Sequence, residues 1–152
     1  MTKLRPVTPI SIIASNLERV LANIEAKGSL DPETKELLET TKDMANGIEP
    51  YLIDNTTQED GALKKLAEET LKHDWQGSDS SQLNSLEPEM LSGHVEGVFL
   101  RQIVALANCK NVLEIGLFSG YSALAMAQAL PREGKLVACE INDHAARFAV
   151  NQ

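Results

Sequence analysis

The sequence predicts an α/β protein: an N-terminal helical extension, then the first strand–helix–strand unit of a doubly wound parallel sheet. Three observations predict it. Apolar residues recur at helical spacing through the first half of the chain. Two short apolar runs, Asn111-Val112-Leu113-Glu114-Ile115 and Leu136-Val137-Ala138-Cys139-Glu140-Ile141, flank an alanine-rich stretch. A glycine turn at 116–120 joins the first run to that stretch. Strand, glycine turn, helix and parallel strand make a right-handed βαβ unit.

Thr8-Pro9 supplies a helix cap and a proline at the first helical position. Ile12, Ile13, Leu17, Val20, Leu21 and Ile24 follow at helical spacing, and Gly28 closes the run. Asp31-Pro32 repeats the start signal, with Leu37, Leu38 and Met44 on one side and Gly47 as the expected end. Thr57 with Asp60 resembles a capping box ahead of Leu63, Leu66 and Leu71. Gly77-Ser78-Asp79-Ser80-Ser81 marks a break. The expected organisation is therefore a helical extension over 1–76, a linker over 77–88 and the start of a ligand-binding domain over 89–152.

In that domain, 96–107 reads as a helix burying Phe99, Leu100, Ile103, Val104 and Leu106. Asn111-Val112-Leu113-Glu114-Ile115 reads as a buried strand, and 121–130 as a helix closed by Pro131 and Gly134. After the second strand, Asn142 or Asp143 caps a last helix.

Composition excludes several functions. With 43% hydrophobic and 24% charged residues, the chain is expected to be an ordinary globular domain. The net charge of -8 opposes a nucleic-acid partner, which needs a basic surface. Residues 31–70 hold eleven acidic side chains against four lysines, read as a solvated helical face. No apolar run is long enough for a bilayer, and the basic start lacks a following apolar segment. A cytoplasmic protein without membrane partners is expected. Cys109 and Cys139 lack metal-ligand spacing, and Cys139, inside an apolar run, reads as a buried thiol. His73 and His144 read as surface residues, and His94 as an exposed histidine at a helix start.

The chemistry concentrates in Glu114-Ile115-Gly116-Leu117-Phe118-Ser119-Gly120-Tyr121-Ser122, with Glu140 ending the second strand. A glycine turn lets a nucleotide-like ligand lie against bare backbone. A carboxylate after the second strand can accept hydrogen bonds from a ribose diol. The glycines are spaced G-x-x-x-G rather than the G-x-G-x-x-G that seats a pyrophosphate, and the turn holds no lysine or arginine. Glu114 would oppose a pyrophosphate but tolerate the ammonium and sulfonium of S-adenosylmethionine. On pattern alone that donor leads, with a nicotinamide cofactor and a ligand-free βαβ unit as alternatives. Ser122 also reads as a possible helix cap, and Ser92 as a loop serine.

At these residues the chain resembles the metal-dependent catechol and caffeoyl-coenzyme A O-methyltransferases. That family's strand ends E-I-G, followed by T-G-Y-S and A-L-A-x-A-L-P-x-x-G; this chain reads E-I-G-L-F-S-G-Y-S-A-L-A-M-A-Q-A-L-P-R-E-G. The run from Met90 to Leu100 is similar to the family's E-G-x-F-L segment. Arg5-Pro6-Val7-Thr8-Pro9, the segment from Glu49 to Thr57, and Glu89-Met90-Leu91-Ser92-Gly93-His94 resemble more closely the branch from cyanobacterial mycosporine-like amino acid biosynthesis, which methylates a demethyl-4-deoxygadusol.

The resemblance implies a Rossmann-like fold, S-adenosylmethionine as cofactor, and a small-molecule acceptor whose hydroxyl belongs to a vicinal diol or enediol. It implies that Met90 and Ser92 approach the methionine part of the donor. Glu114 would bind near the amino-acid end, Gly116 and Leu117 would offer backbone, Ser122 would bind the methionine moiety, and Glu140 would hold the ribose. It also implies a divalent, Mg2+-type metal, with ligands after the third strand, and a homodimer for the whole enzyme. The chain is therefore expected to be an N-terminal portion, inactive alone and prone to self-association through the open edge of its first strand. The competing expectation is a non-catalytic or partner-dependent interaction module.

Overall fold

The computed structural model describes residues 8–28, 30–75 and 86–152. Its elements are α1 (Pro9–Lys27), α2 (Pro32–Asp54), α3 (Gly61–Lys72), a single 3-10 turn (Pro88–Met90), α4 (Gly93–Leu106), β1 (Asn111–Ile115), α5 (Tyr121–Ala127), β2 (Lys135–Cys139) and α6 (Asp143–Val150). The chain divides into two compact units between Asn55 and Thr56.

The first unit is a helical hairpin. Thr8 and Ser11 form a full capping box at the start of α1. Asp31 caps α2 by accepting from the Thr34 amide at 2.9 Å, with Pro32 at the first helical position. Thr8 bonded to Glu49, and Lys35 3.4 Å from Glu25, show that the helices run antiparallel.

The helix end expected at Gly47 is corrected: α2 runs on through Gly47 and Pro50 to Asp54. Gly47 does not take the positive φ that ends helices. The stop comes at Asn55, whose side chain donates to the Tyr51 carbonyl at 2.8 Å.

In the second unit, Asp60 rather than Thr57 caps α3. One of its carboxylate oxygens accepts from the Ala62 and Leu63 amides, both at 2.9 Å. The core gathers Leu63 and Leu66 of α3, Trp75, Tyr121 and Ala125 of α5, and Ala145 and Phe148 of α6. Trp75 enters it without leaving an orphaned donor, since Nε1 donates to the Thr70 carbonyl at 2.9 Å. So α3 and Trp75 pack with the βα elements. Most of the linker expected at 77–88 lies outside the described residues.

β1 and β2 pair in parallel, in register from Asn111↔Lys135 to Ile115↔Cys139. Alternation decides what the pair buries. Glu114 points inward, whereas Leu113 and Ile115 lie on the other face, 65% and 84% exposed. The expectation of a buried β1 is thus corrected for that face. Cys139 is exposed rather than buried, because it pairs with Ile115 and shares its face.

The histidines are also corrected. His73 and His144 are half-buried, their Nε2 atoms 2.9 Å apart, with the His73 ring against Trp75 and Phe148. Burial, and then the neighbouring His144, hold the His73 pKa below its usual value. The His94 ring meets the Thr57 carbonyl and is half-buried.

Helix α4 begins a turn earlier than expected, at Gly93, and packs on α5 through Gly97. The expected burial along it is corrected: Val104 is buried, but Phe99, Ile103 and Leu106 lie on its exposed side, away from the Gly97 contact. A Cβ at Gly97 would lie 2.8 Å from the Tyr121 ring. Gly97→Ala should therefore destabilise the second unit by about 1–3 kcal/mol, the usual penalty of overpacking. Urea unfolding followed by Trp75 fluorescence measures it, and an unchanged midpoint would refute the close packing.

Candidate functional site

The turn between β1 and α5 is bent by three residues with positive φ: Gly116 at 92°, Phe118 at 49° and Gly120 at 90°. Phe118 is the informative one, since a residue with a side chain is strained there by about 1 kcal/mol. Two contacts hold it in place. Its ring packs on Trp75, centroids 4.5 Å apart, and its amide donates to Glu140 at 2.8 Å.

Glu140 follows β2 and its carboxylate faces the turn. Oε2 accepts from the Leu117 and Phe118 amides at 2.9 and 2.8 Å, and Oε1 from the Asn142 amide at 2.8 Å. Partial burial pushes its pKa up, but the Asn142, Phe118 and Leu117 amides outweigh it and leave the carboxyl below its usual range. An ionised carboxylate has about four lone-pair directions. Three are engaged by backbone, so Glu140 secures the turn first and has limited capacity left for a ligand.

Glu114 comes from the inward face of β1 and is 9% exposed. Its Oε1 accepts from the Ser122 hydroxyl. Its Oε2 is buried without a hydrogen-bond partner. Burial raises its pKa, opposed by the Ser122 bond. Segment 111–131 contains no lysine or arginine, so no neighbouring cation in the segment neutralises it. A buried carboxylate oxygen of this kind favours a ligand that brings a positive charge or N–H donors.

Ser122 is the second residue of α5, behind Gly120 and Tyr121, and its hydroxyl serves Glu114 rather than capping the helix. Gly116 extends the strand pairing, its amide donating to the Cys139 carbonyl at 2.9 Å. Leu117 presents its amide to Glu140 and its carbonyl to the Gly120 amide. Ser92 stands immediately before α4 without a side-chain cap bond, and Met90 is half-exposed in the 3-10 turn. The structure thus brings Glu114, Gly116, Leu117, Ser122 and Glu140 to one turn, while Met90 and Ser92 sit at the head of α4.

Sequence reading missed two features. Ser119 is 1% exposed and its hydroxyl has no partner, an uncommon state for a turn residue. Tyr121 donates its hydroxyl to Glu59, and burial followed by that bond pushes the phenol pKa well up. The serine was visible within the turn motif; the Glu59 contact, 62 residues away, had no local signal. No group of three or more His, Cys, Asp or Glu side chains suited to a metal occurs among the described residues.

A glycine turn after the carboxyl end of a parallel strand, held by one carboxylate and flanked by a second buried one, is the candidate site of this two-stranded α/β unit. Residues 54–152 match the O-methyltransferase family model, and the chain belongs to that family. It is 37% identical over 100 residues to caffeoyl-CoA O-methyltransferase 2 of Petunia hybrida, covering 64% of this chain and 36% of that protein. Caffeoyl-CoA O-methyltransferase 1 of Arabidopsis thaliana is 36% identical over 94 residues, covering 60% and 32%. The chain thus spans about a third of the length of these relatives. The fold is similar to an O-methyltransferase from Bacillus cereus in complex with SAH, with a TM-score of 0.52, 24% identity, and 69% and 42% of the two chains covered. It is also similar to the SAH-bound methyltransferase PaMTH1 of Podospora anserina, with a TM-score of 0.56, 22% identity, and 82% and 46% covered.

Proposed function

We propose that this chain supplies the donor site of an S-adenosylmethionine-dependent O-methyltransferase acting on a small-molecule hydroxyl. The observation that carries the reading is the buried, unpartnered Oε2 of Glu114 beside Ser122. The donor brings a transferable methyl group on sulfur and an ammonium that such an oxygen would accept from. Glu114 and Ser122 hold its methionine end, Gly116 and Leu117 offer backbone, and Glu140 orders the turn and takes a ribose hydroxyl on its remaining lone pair. Met90 and Ser92 close over the methionine part from the head of α4. Rate then comes from holding the acceptor oxygen, methyl carbon and sulfur in line.

The proposed acceptor is a vicinal diol or enediol such as a demethyl-4-deoxygadusol, on the resemblance of Arg5 to Pro9, Glu49 to Thr57 and Glu89 to His94 to that branch. The proposed compartment is the cytoplasm; among the described residues no helix is long and apolar enough to cross a membrane. The divalent metal that the family resemblance implies has no group of three or more candidate ligands among the described residues. The open sheet face, with Leu113, Ile115 and Val137 exposed, favours a second reading as a partner-docking module.

Calorimetric titration with S-adenosylhomocysteine and with NAD separates these readings. Binding of S-adenosylhomocysteine alone is expected. Preference for NAD would overturn the donor site in favour of the nicotinamide alternative, and no binding by a folded chain would leave the docking reading.

A further inference from the structure

We propose that His73 and His144 form a proton-sensitive lock on the 116–120 turn: the pair stays closed with one added proton, and a second opens it and weakens donor binding. The lock itself is independent of the donor-site reading; only its ligand rests on that reading. His73 ends α3 and His144 lies in the first turn of α6, so the pair ties together two elements across 71 residues of sequence.

Proton counting sets how the pair behaves. Nε2 meets Nε2 at 2.9 Å, a hydrogen bond only while one nitrogen carries the proton and the other a lone pair. Two neutral rings satisfy this through opposite tautomers. A singly protonated pair satisfies it too, the imidazolium donating to the neutral ring. A doubly protonated pair does not, because two N–H groups and two positive charges then face each other. Burial, and then the charge of His144, hold the His73 pKa below its ordinary 6.5, with Asp74 opposing them. Of the other charges flanking the pair, Lys72 pairs with Glu68, Glu69 with Lys65 and Asp143 with Arg147, while Glu140 is engaged by backbone amides. The lowered value fixes the sign: the stabilisation is present above 6.5 and is lost as pH falls through the folded value.

Opening reaches the turn by two routes. Through side chains, the His73 ring packs on Trp75 and Phe148 with centroids 4.6 and 4.7 Å apart, and Trp75 packs on Phe118 at 4.5 Å. Phe118 depends on that contact, since its φ is 49°. Through backbone, the His144 amide donates to Asn142 Oδ1 at 2.9 Å, and the Asn142 amide donates to Glu140 Oε1 at 2.8 Å. Glu140 in turn holds the Leu117 and Phe118 amides. Displacing His144 therefore loosens both supports of the turn. Closed and open pair are two states that protons and ligand both bias, so the coupling is reciprocal. A donor that binds the ordered turn makes the second proton harder to add.

An NMR titration of the whole chain from about pH 8 to about pH 5 tests this, with and without saturating S-adenosylhomocysteine. It follows the His73 and His144 ring protons, the Phe118 amide and the indole N–H of Trp75, the single tryptophan. Without ligand, the two rings are expected to titrate in separate steps, with the Trp75 and Phe118 signals moving at the second. Bound S-adenosylhomocysteine should displace the second step by about one pH unit toward acid, which reads as a tenfold weaker affinity for the doubly protonated state. In His144→Gln, His73 should still titrate while Trp75 and Phe118 stay still, since no second charge forms. Glu114 also titrates, so the displaced histidine step, rather than affinity against pH, isolates the lock. Trp75 and Phe118 signals that stay still in the wild type, or that move in His144→Gln, would overturn it. A second step that bound ligand leaves in place would overturn the coupling. No binding at all would overturn the donor-site reading and the coupling with it, while the ligand-free titration decides the lock by itself.

Discussion

Glu140→Ala is expected to lower the unfolding free energy by about 3 kcal/mol and to abolish measurable binding of S-adenosylhomocysteine. Each hydrogen bond to a charged group contributes roughly 1.5–3 kcal/mol. Glu140 makes three to backbone amides, but the side chain is only partly buried, so the released amides regain water and the loss falls well below the sum. The binding defect follows from the turn. Without the carboxylate, Phe118 keeps only its ring contact with Trp75 to hold a positive φ, and the backbone facing the ligand relaxes.

Glu140→Gln should lie between. Its amide oxygen can still serve Leu117 and Phe118, while its NH2 group faces the Asn142 amide as a second donor. The folded carboxyl titrates below its usual value, so its stabilisation is present above the ordinary carboxylate pKa and is lost as pH falls through the lowered one. That acid-limb slope should flatten in Glu140→Ala. Full stability with retained binding in the alanine variant would remove Glu140 from the site.

The frame of this site was legible because local rules agree with the fold. Short apolar runs, a glycine turn and an alanine-rich helix admit few arrangements other than a parallel βαβ unit, and Glu140 had to stand at the turn once the second run was a strand. The division of labour inside the site was not legible. Nothing in Glu114-Ile115-Gly116 says that Ser122 turns back to Glu114, or that Glu140 engages three lone pairs with backbone.

Two of the other misreadings arose because local signals were asked about distant neighbours, and two from weighing competing local signals wrongly. Val112 to Ile115 is apolar enough for a strand covered on both faces, but burial of Leu113 depends on what packs there. His73 meets His144 across 71 residues. Gly47 and Pro50 are breakers by themselves, yet α2 carries both and stops only at Asn55. Asp60 outcompetes Thr57 as a cap because its carboxylate reaches two amides at once. The α1 boundaries, by contrast, were set by Thr8, Pro9 and Gly28 within the segment itself.

Glu114→Gln should move stability and binding in opposite directions. The buried carboxylate has a raised pKa, so between its ordinary value of 4.5 and that raised value the folded chain holds the proton more tightly than the unfolded one. Stability from this group therefore falls as pH rises through that window, and above it the fold carries an uncompensated charge. Glutamine keeps an oxygen for the Ser122 hydroxyl and removes the charge. A gain of about 1 kcal/mol is expected at pH values above that window, limited by leaving a buried amide N–H without a partner. S-adenosylhomocysteine should meanwhile bind roughly ten to a hundred times more weakly, since a charge-assisted bond to its ammonium is lost. Wild-type affinity should rise with pH as Glu114 ionises, and that rise should be absent in the variant. Thermal melts and calorimetry at matched pH values measure both effects. A carboxylate retained only for structure would lose stability on neutralisation and leave affinity alone; a variant that is steadier yet binds poorly identifies a group whose burial is tolerated for the ligand it meets.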